Sequence, residues 1–380
     1  MPILISAAIG VLLLVTYYLV AGWAISNGLH RSVLQVGPRE KELGVRVREV
    51  SRDRIVLEAP APRQDIGHPG TIGLAWDGGY GRVGDVIDVQ GPRFIRSYQP
   101  VEGMPPVCPG ELASCPPLEM DSYAFPRDPG DIGLEFETVT YQTALGPMGA
   151  WLVPAASAST RWAIHCHGWT AERRELVRML PGYQAAGLDS LVIDYRNDPG
   201  APLDPSNRYR FGLSEWEDVD AAVRHALDRG AEKVVLNGCS TGAALVMRFL
   251  ELSPLADVVT GLVLDAPNII VADAVRRGTQ DSKPSRLMIE FGMWIADLRW
   301  KIDWETTNYV QRADSILRVP TLVFHGTSDQ VIPIAVSRQL EARVPSLVQL
   351  VETPAAGHVM SWNADPDRYQ RYLTGFLDRI

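Results

Sequence analysis

This 380-residue sequence has no excess of positively charged residues, and this limits the classes of molecule that the protein is expected to bind. Asp and Glu outnumber Lys and Arg by 45 to 36, which gives a formal net charge of −9 and a pI near 5.4. Surfaces that bind nucleic-acid phosphates are strongly basic. We therefore expect no nucleic-acid partner.

Motifs for nucleotide and metal binding are also missing. The glycine-rich stretch 73–87 is not followed by GKS or GKT, so its glycines are predicted to form turns rather than a phosphate-binding loop. His165, Cys166 and His167 alternate between the two faces of a predicted strand, and no second pair of ligands accompanies them. We therefore expect neither a zinc site nor a cofactor.

The longest apolar run covers residues 3–25 and contains no charge. A helix of about 20 such residues crosses the ~30 Å hydrocarbon core of a bilayer. Residues 1–26 are therefore predicted to form a single transmembrane anchor. A cleavable signal peptide is the alternative, but it has a basic start and a shorter apolar run, and no Lys or Arg precedes Ile3.

The side of the membrane that carries the rest of the chain stays open. Arg31, Arg39 and Lys41 follow the apolar run and favour a cytoplasmic location under the positive-inside rule. Cys108 and Cys115 lie in a proline-rich stretch at a spacing that suits a disulfide-closed loop in an oxidising compartment. Two unpaired thiols are an equal alternative for this pair.

The remainder of the chain divides into three parts. Residues 27–44 are polar with glycine and proline, which is typical of a linker. Residues 45–133 show short apolar alternation and predict a β-rich accessory segment. Residues 134–380 alternate strands with helix-length segments, which indicates an α/β unit with a mostly parallel sheet and helices on both faces. Within it, residues 268–312 are predicted to form an inserted cap, whose aromatic side chains either line an acyl pocket or pack against the sheet.

Local patterns predict the elements of the α/β unit. Ser214 is followed three residues later by Glu217, which is typical of a capping box and predicts a helix over Ser214–Arg229. Eight strands are predicted, at Glu135–Tyr141, Ala150–Val153, Trp162–His165, Ser190–Asp194, Lys233–Asn237, Gly261–Asp265, Thr321–His325 and Val348–Val351.

The stretch Gly238-Cys239-Ser240-Thr241-Gly242 stands between a predicted strand and a predicted helix. This is the context in which G-x-S-x-G forms a nucleophile elbow, a sharp turn that exposes the serine hydroxyl. The turn strains the central residue, and only small neighbours such as Gly238 and Gly242 leave room for it to close. Ser240 is therefore the candidate nucleophile. The alternative is a structural role, in which this serine only caps the helix.

A serine hydroxyl needs a base to become nucleophilic at neutral pH, usually a histidine oriented by a carboxylate. Asp329 follows the predicted strand over Thr321–His325, and His358 lies on the loop after the next strand. Alone, Asp329 could cap a turn and His358 could be a surface histidine. Together with Ser240 they predict a catalytic triad in the chain order Ser, Asp, His.

Residues 135–380 resemble the α/β-hydrolase superfamily, especially its serine esterase and peptidase branch. The resemblance implies that His167 and Gly168 begin an oxyanion loop, with the backbone N–H groups of Trp169 and Thr241 as donors. Asp194 and Asp265 also end strands and are alternative acids, although the resemblance implies structural roles for both. The matching stretches are IHCHGWTAERRE, LVIDYRND, GCSTG, GLVLDAPN, VPTLVFHGTSDQVIP and AGHVMSWNADPDRYQRYLTGFL.

Two departures from the family pattern leave the catalytic groups in place. Cys239 occupies the first variable position of the elbow and is expected to be a buried packing thiol. Ala243 stands where a further glycine is common. Neither change removes the predicted nucleophile, base or acid.

The predicted activity is cleavage of an ester or other acyl bond through an acyl-enzyme on Ser240. We favour a carboxylesterase or lipase-like enzyme with a lipid-like or small acyl substrate, because a membrane anchor brings the cap close to such molecules. A serine peptidase or an acyltransferase of the same fold remains an alternative. A non-catalytic membrane-anchored binding module is an alternative of another class. No sequence feature indicates the oligomeric state.

Overall fold

The computed structural model describes residues 2–37, 45–59, 67–111, 115–116, 118–122, 127–279 and 285–380. Helix α1 (Pro2–Leu29) contains most of the predicted anchor and continues as a π-helical turn over His30–Leu34. By length and composition, Leu12–Leu34 is apolar enough to cross a membrane, a property shared by signal sequences near an N-terminus.

Helical structure extends past residue 26 into the segment that was predicted to be a linker. Leu29 and Leu34 are buried in an apolar cluster with residues of the cap, which stabilises the extra turns. The end of the predicted linker, residues 38–44, lies outside the described residues.

The predicted accessory segment contains a six-stranded antiparallel sheet in the order β1-β2-β5-β4-β3-β6. Alternate apolar side chains such as Val47, Ile55 and Leu57 form its core. Beside β1, Cys108 and Cys115 are joined by a disulfide. The strands are β1 (Arg46–Val50), β2 (Arg54–Glu58), β3 (Ile72–Trp76), β4 (Gly79–Gln90), β5 (Arg93–Glu102) and β6 (Leu118–Asp121).

The α/β unit is built on an eight-stranded sheet in the order β14-β13-β12-β11-β9-β10-β8-β7. The pairings of β8 with β7 and β10 are antiparallel, and the remaining pairings are parallel. Each of the eight predicted strands is present, at β7 (Glu137–Thr143), β8 (Gly146–Val153), β9 (Arg161–Cys166), β10 (Asp189–Ile193), β11 (Lys233–Cys239), β12 (Val259–Asp265), β13 (Thr321–Gly326) and β14 (Val348–Thr353).

Helices cover both faces of this sheet, so its central strands are buried on both sides. Val234 and Leu236 pack on one face against α3 and α4, whereas Val235 packs on the other face against α2 and α10. The predicted fold class is confirmed. The helices are α2 (Leu180–Ala185), α3 (Trp216–Asp228), α4 (Thr241–Leu252), α5 (Val271–Thr279), α6 (Arg286–Trp300), α7 (Ala313–Ile316), α8 (Ala335–Arg343), α9 (Ser361–Ala364) and α10 (Pro366–Leu377).

The predicted capping box at the start of α3 is wrong. The Ser214 hydroxyl donates to Asp204 at 2.7 Å, and the Glu217 carboxylate accepts from Arg196 at 2.9 Å. Glu215 instead accepts the backbone N–H groups of Arg210 and Gly212 in the turn that precedes the helix. Contacts within the segment that joins β10 to α3 therefore replace the local cap.

The predicted cap region contains α5 and α6, between β12 and β13. Several of its large apolar side chains pack against α1. Phe291 contacts Tyr18 of α1, and Trp300 stacks near His30. The cap packs on the first helix of the chain, an arrangement that the sequence pattern does not indicate.

Candidate active site

The turn between β11 and α4 carries Ser240 in a strained backbone conformation, with φ 48° and ψ −115°. A side chain at Gly238 would lie 2.7 Å from the backbone of Ala243, and one at Gly242 would overlap the carbonyl oxygen of Cys166. Both glycines are therefore needed for the turn to close. The turn leaves the Ser240 hydroxyl at the N-terminus of α4, where developing negative charge is stabilised.

Three side chains meet at this turn. His358 Nε2 lies 2.9 Å from Ser240 Oγ, and His358 Nδ1 lies 2.8 Å from Asp329 Oδ2. The imidazole thus joins the hydroxyl to the carboxylate through its two nitrogens. This is the arrangement that nucleophilic chemistry at a serine requires, and it connects residues from three separate loops.

Backbone and side-chain donors surround the Asp329 carboxylate. Its Oδ1 accepts the N–H groups of Val331 at 2.8 Å and Ile332 at 2.9 Å, while His325 Nε2 lies 3.3 Å from Oδ2. Burial disfavours the charged carboxyl, but His358 and His325 outweigh it and keep the pKa of Asp329 well below its usual range. Asp329 is therefore ionised at neutral pH and accepts the Nδ1–H of His358.

His358 lies on a loop with two strained positions, Ala355 at φ 57° and Val359 at φ 53°. Burial disfavours its imidazolium form, but the charge and hydrogen bond of Asp329 raise the pKa of His358 above its usual value. The His358 side chain is 22% exposed, and Ser240 is 8% exposed. The imidazole can thus gain a proton next to a hydroxyl that a substrate can reach.

The loop after β9 passes over the serine. A Cβ atom at Gly168 would lie 3.2 Å from the Cβ of Ser240, and the Gly168 N–H donates to Glu175 Oε2 at 2.7 Å. Trp169 follows Gly168, and Thr241 follows Ser240 as the first residue of α4. The backbone N–H groups of these two residues remain the predicted oxyanion donors.

His167, the first residue of this loop, is fully buried. Its Nε2 lies 2.9 Å from Asp198 Oδ2 and its Nδ1 lies 2.9 Å from the carbonyl oxygen of Gly168. The ring stacks on Tyr195, whose hydroxyl donates to the same carbonyl at 3.0 Å. Burial opposes the charged form, but Asp198 raises the pKa of His167 to about 9.

The ligand atoms of His167, Asp194 and Asp198 lie within 4.8 Å of one another, a grouping that could hold a cation. The guanidinium of Arg173 pairs with Asp194 at 2.8 Å, however, and His167 pairs with Asp198. Two side-chain cations already balance the two carboxylates. We therefore assign no metal to this group.

The alternative acids occupy other surroundings. Asp194 is paired with Arg173, and Asp265 is fully buried. Burial, opposed by Arg178, raises the carboxyl pKa of Asp265 to about 6. Within the described part of the chain, His358 hydrogen-bonds to Asp329 rather than to either of them.

Cys239 is fully buried behind the elbow, among the apolar side chains that α2 and α10 cover. Burial raises its thiol pKa well above the usual value, so the thiolate that nucleophilic attack needs is disfavoured. These surroundings suit the packing role that the sequence predicts.

Comparison with known proteins assigns the family. A model described as "Alpha/beta hydrolase family" matches residues 163–371, more than half of the chain. The chain belongs to the alpha/beta hydrolase family. It is 24% identical to the uncharacterized protein YfhR of Salmonella typhi over 259 residues, which are 64% of this chain and 82% of that protein. It is 26% identical to an uncharacterized protein of Mycobacterium tuberculosis over 243 residues, 60% of this chain and 75% of that protein.

Among solved structures, this hydrolase resembles the esterase Pf2001 of Pyrococcus furiosus with a TM-score of 0.54 and 20% identity. The similarity covers 67% of this chain and 96% of the esterase. At that identity the similarity indicates the fold alone. The predicted membership of the α/β-hydrolase superfamily is confirmed.

Sequence reasoning did not assign three residues around the site of this hydrolase. Glu175 accepts the N–H of Gly168, Arg178 contacts the loop of His358, and His325 contacts Asp329. His325 lies in the matching stretch VPTLVFHGTSDQVIP, four residues before Asp329. Glu175 ends the matching stretch IHCHGWTAERRE, but nothing in that stretch indicates its contact with Gly168. Arg178 lies in a short 3-10 helix outside the matching stretches, and its partners are distant in sequence.

The accessory sheet also contacts the loop that carries the base. Arg178 Nη2 donates to the carbonyl oxygen of Val359 at 2.8 Å, and Nη1 donates to that of Ser122 at 2.6 Å. Asn363 Nδ2 donates to the carbonyl oxygens of Thr71 at 2.7 Å and Ser122 at 2.9 Å. The segment that follows His358 is therefore fixed between the α/β unit and the accessory sheet.

Proposed function

We propose that this α/β hydrolase is a serine esterase that cleaves a lipid-like or small acyl ester through an acyl-enzyme on Ser240. The observation that carries the proposal is the hydrogen-bonded series from Ser240 Oγ to His358 Nε2 at 2.9 Å and from His358 Nδ1 to Asp329 Oδ2 at 2.8 Å. The ionised Asp329 favours the His358 tautomer that can accept the serine proton.

The reaction proceeds in two steps. His358 Nε2 takes the proton of Ser240 as the hydroxyl attacks the ester carbonyl, and it then gives that proton to the departing alcohol. A water molecule, deprotonated by His358, then attacks the acyl-enzyme. His358 returns that proton to Ser240 Oγ as the bond between the serine oxygen and the acyl carbon breaks and the acid leaves. The raised pKa of His358 suits it to carry the proton between these steps.

Negative charge on the carbonyl oxygen requires donors in the loop over Ser240. We assign this role to the backbone N–H groups of Trp169 and Thr241, at the start of the oxyanion loop and of α4. The close approach of Gly168 to Ser240 supports this assignment, because it brings the following peptide to the same side of the hydroxyl.

We also propose that α1 anchors the enzyme in a membrane. Its exposed surface is apolar over several turns, with Leu12, Leu13 and Val20 among the most exposed side chains. The same helix packs against the cap through Leu29 and Ile25, as expected for a helix retained in the mature protein rather than cleaved. Exposing such an apolar surface to water is unfavourable in free energy, and insertion into a bilayer removes that exposure.

We further propose that the catalytic unit faces an oxidising compartment, on the strength of the Cys108–Cys115 disulfide. Denatured protein treated with a maleimide polymer before reduction should carry two labels, on Cys166 and Cys239. After reduction it should carry four, one for each cysteine of the chain. Four labels before reduction would contradict the proposal and favour the cytoplasmic side that Arg31 suggests.

Labelling with a fluorophosphonate tests the esterase proposal. Wild-type protein in detergent should be labelled stoichiometrically, and Ser240→Ala should not be labelled. Ser328→Ala is a matched control, because this serine lies on the loop of Asp329 but outside the hydrogen-bonded series. An unlabelled wild type would contradict the proposal and favour a binding module.

Turnover of esters with graded acyl chains then defines the substrate class. An esterase of lipid-like substrates should prefer medium or long chains, and added acceptor alcohols should not divert the acyl group. Hydrolysis of peptide amides in preference to esters would instead support the peptidase alternative, and transfer to the acceptor alcohol would support the acyltransferase.

A further inference from the structure

Helix α6 of the cap packs side by side with the C-terminal half of α1. Tyr17 contacts Met288 near the beginning of α6, and His30 stacks near Trp300 at its end. The two helices therefore run in the same direction. A side chain at Gly22 would lie 2.7 Å from Phe291, so the pair approaches closely where a glycine allows it.

The polar end of this helix pair is marked by Arg299. Its guanidinium lies 3.6 Å from the ring centroid of Trp23 and donates to Asn27 at 2.8 Å and Ser26 at 3.1 Å. These are the first strongly polar side chains after the apolar part of α1. Arg299 thus lies at the level where a bilayer-embedded α1 meets water, beside an aromatic residue of the interfacial type.

The beginning of α6 lies deeper along the same axis. It contacts Tyr17, which lies eight positions before Ile25, the end of the uncharged apolar run in α1. At 1.5 Å per residue, that separation is about 12 Å, which exceeds the ~5–8 Å thickness of the headgroup region on one side of a bilayer. The first turns of α6 therefore reach the boundary between headgroups and hydrocarbon whenever α1 is inserted.

The surface of α6 fits that position. Leu287, Trp294 and Leu298 are 71%, 53% and 63% exposed and form one stripe, since their spacings of seven and four residues return to the same helix face. The opposite face is buried through Ile289, Met293 and Ala296, among the residues that link the cap to α1. The exposed stripe is continuous with the apolar surface of α1 that the membrane would cover.

We propose that the stripe formed by Leu287, Trp294 and Leu298 contacts the lipid bilayer, so that the cap lies in the interface beside the anchor. Arg286 and Arg299 lie at the two ends of the stripe, where long basic side chains can reach the headgroups. A second membrane-contacting element fixes the orientation of the enzyme, which a single flexible anchor would leave free.

This contact defines the direction from which a substrate would approach the active site. The apolar cluster that contains Met293 and Ile289 also includes Trp169, the residue that follows Gly168 over Ser240. Apolar side chains therefore continue from the stripe to the nucleophile. An ester with its acyl chain in the bilayer could reach Ser240 along this surface, and this part of the inference rests on the proposed esterase activity.

Fluorophores on introduced cysteines test the contact in the full chain reconstituted in phospholipid nanodiscs. The native thiols do not interfere, because Cys166 and Cys239 are buried and Cys108 is bonded to Cys115. The variants are Leu287→Cys, Trp294→Cys and Leu298→Cys. Leu252→Cys is the matched control, since Leu252 is 44% exposed at the end of α4 that points away from Ser240.

Probes on the stripe should be quenched by lipids that carry a nitroxide near the ester carbonyl, and quenched roughly fivefold less by aqueous iodide than the probe at position 252. Iodide quenching equal to that of the control would overturn the proposal. Protection from both iodide and lipid nitroxide would overturn it as well, because a second protein molecule would then cover the stripe.

Turnover separates this inference from the proposed function. The double variant Leu287→Glu and Leu298→Glu should hydrolyse a bilayer-dissolved ester roughly tenfold more slowly, because two charged groups resist burial in the interface. Its turnover of a short water-soluble ester should equal that of Leu252→Glu. A wild type inactive on both esters would contradict the esterase proposal, while the quenching result would still decide the contact with lipid.

Discussion

Two loops of this hydrolase flank Ser240, and each carries a histidine that is paired with an aspartate from a neighbouring loop. In the loop after β14, His358 pairs with Asp329 at 2.8 Å, and in the loop after β9, His167 pairs with Asp198 at 2.9 Å. In both pairs the carboxylate raises the pKa of the histidine. The pairs nevertheless differ in what the second ring nitrogen contacts.

The second nitrogen of His358 faces the Ser240 hydroxyl, whereas that of His167 faces the carbonyl oxygen of Gly168. His358 is partly exposed, but His167 is fully buried and stacked on Tyr195. A histidine whose two nitrogens both contact fixed acceptors stabilises a loop. A histidine with one nitrogen directed at a reachable hydroxyl can transfer a proton.

Asp329→Asn should have the largest effect, because it removes the carboxylate that selects the reactive tautomer of His358. We expect turnover of a soluble ester to fall by as much as ~10,000-fold while folding is nearly unchanged. The measurement is kcat together with the denaturant midpoint. Asp265→Asn is the control, and a loss of kcat in this variant but not in Asp329→Asn would transfer the role of the acid to Asp265.

Asp198→Asn changes the other pair, and we expect it to lower the stability of the protein more than its turnover. The charged His167 would lose its partner, and breaking a buried ion pair costs about 3 to 5 kcal/mol. Urea unfolding measures this loss. The exposed pair of Arg343 and Asp314, 3.0 Å apart, supplies the control Asp314→Asn, which should change stability by less than about 1 kcal/mol. Equal losses in the two variants would argue against a charged His167.

Arg178→Met tests whether the position of His358 depends on its loop, because Arg178 contacts that loop and none of the reacting groups. Loss of the donors to Val359 and Ser122 should let the imidazole shift, and displacements near 1 Å can lower rates by about 100-fold. We expect kcat to fall about 10-fold to 100-fold with little change in KM. An Arg178→Lys variant should recover part of the loss.

Arg161 provides the matched control for this prediction. Its guanidinium also donates to backbone carbonyl oxygens, those of Ala186 at 2.9 Å and Leu377 at 2.7 Å, but at the end of the sheet away from the site. Arg161→Met should reduce stability and leave kcat unchanged. If both variants lost stability and neither lost kcat, Arg178 would have a purely structural role.

The sequence predicts the parts of this enzyme that depend on local pattern. Short apolar runs separated by helix-length segments mark all eight strands of the sheet, and G-x-S-x-G predicts the elbow because the glycines that flank Ser240 meet a local steric requirement. The pairing of Asp329 with His358 follows from chain order and strand ends. Each of these signals lies within a short stretch of sequence.

The features that the sequence does not predict depend on contacts between distant residues. Ser214 has the pattern of a helix cap but donates to Asp204, ten residues earlier in the same β10–α3 connection. Arg178 lies in an unremarkable turn, and only folding brings it to Val359. The packing of α6 on α1 likewise depends on two apolar patterns whose mutual register no local signal encodes.

The smallest expected effect is on the pH dependence of stability, to which both histidine pairs contribute. The pKa of His167 is raised to about 9 in the folded protein, against about 6.5 when unfolded. The folded state then binds the extra proton, so this stabilisation is complete below pH ~6.5 and is lost as the pH rises through ~9. Wild-type unfolding midpoints in urea should therefore decline over this window.

His358 contributes a decline of the same sign, so the measurement is the difference between wild type and Asp198→Asn, whose midpoint should change less. Parallel curves for the two proteins would mean that His167 is neutral when folded, and the two pairs would then carry the same charge and differ only in chemistry.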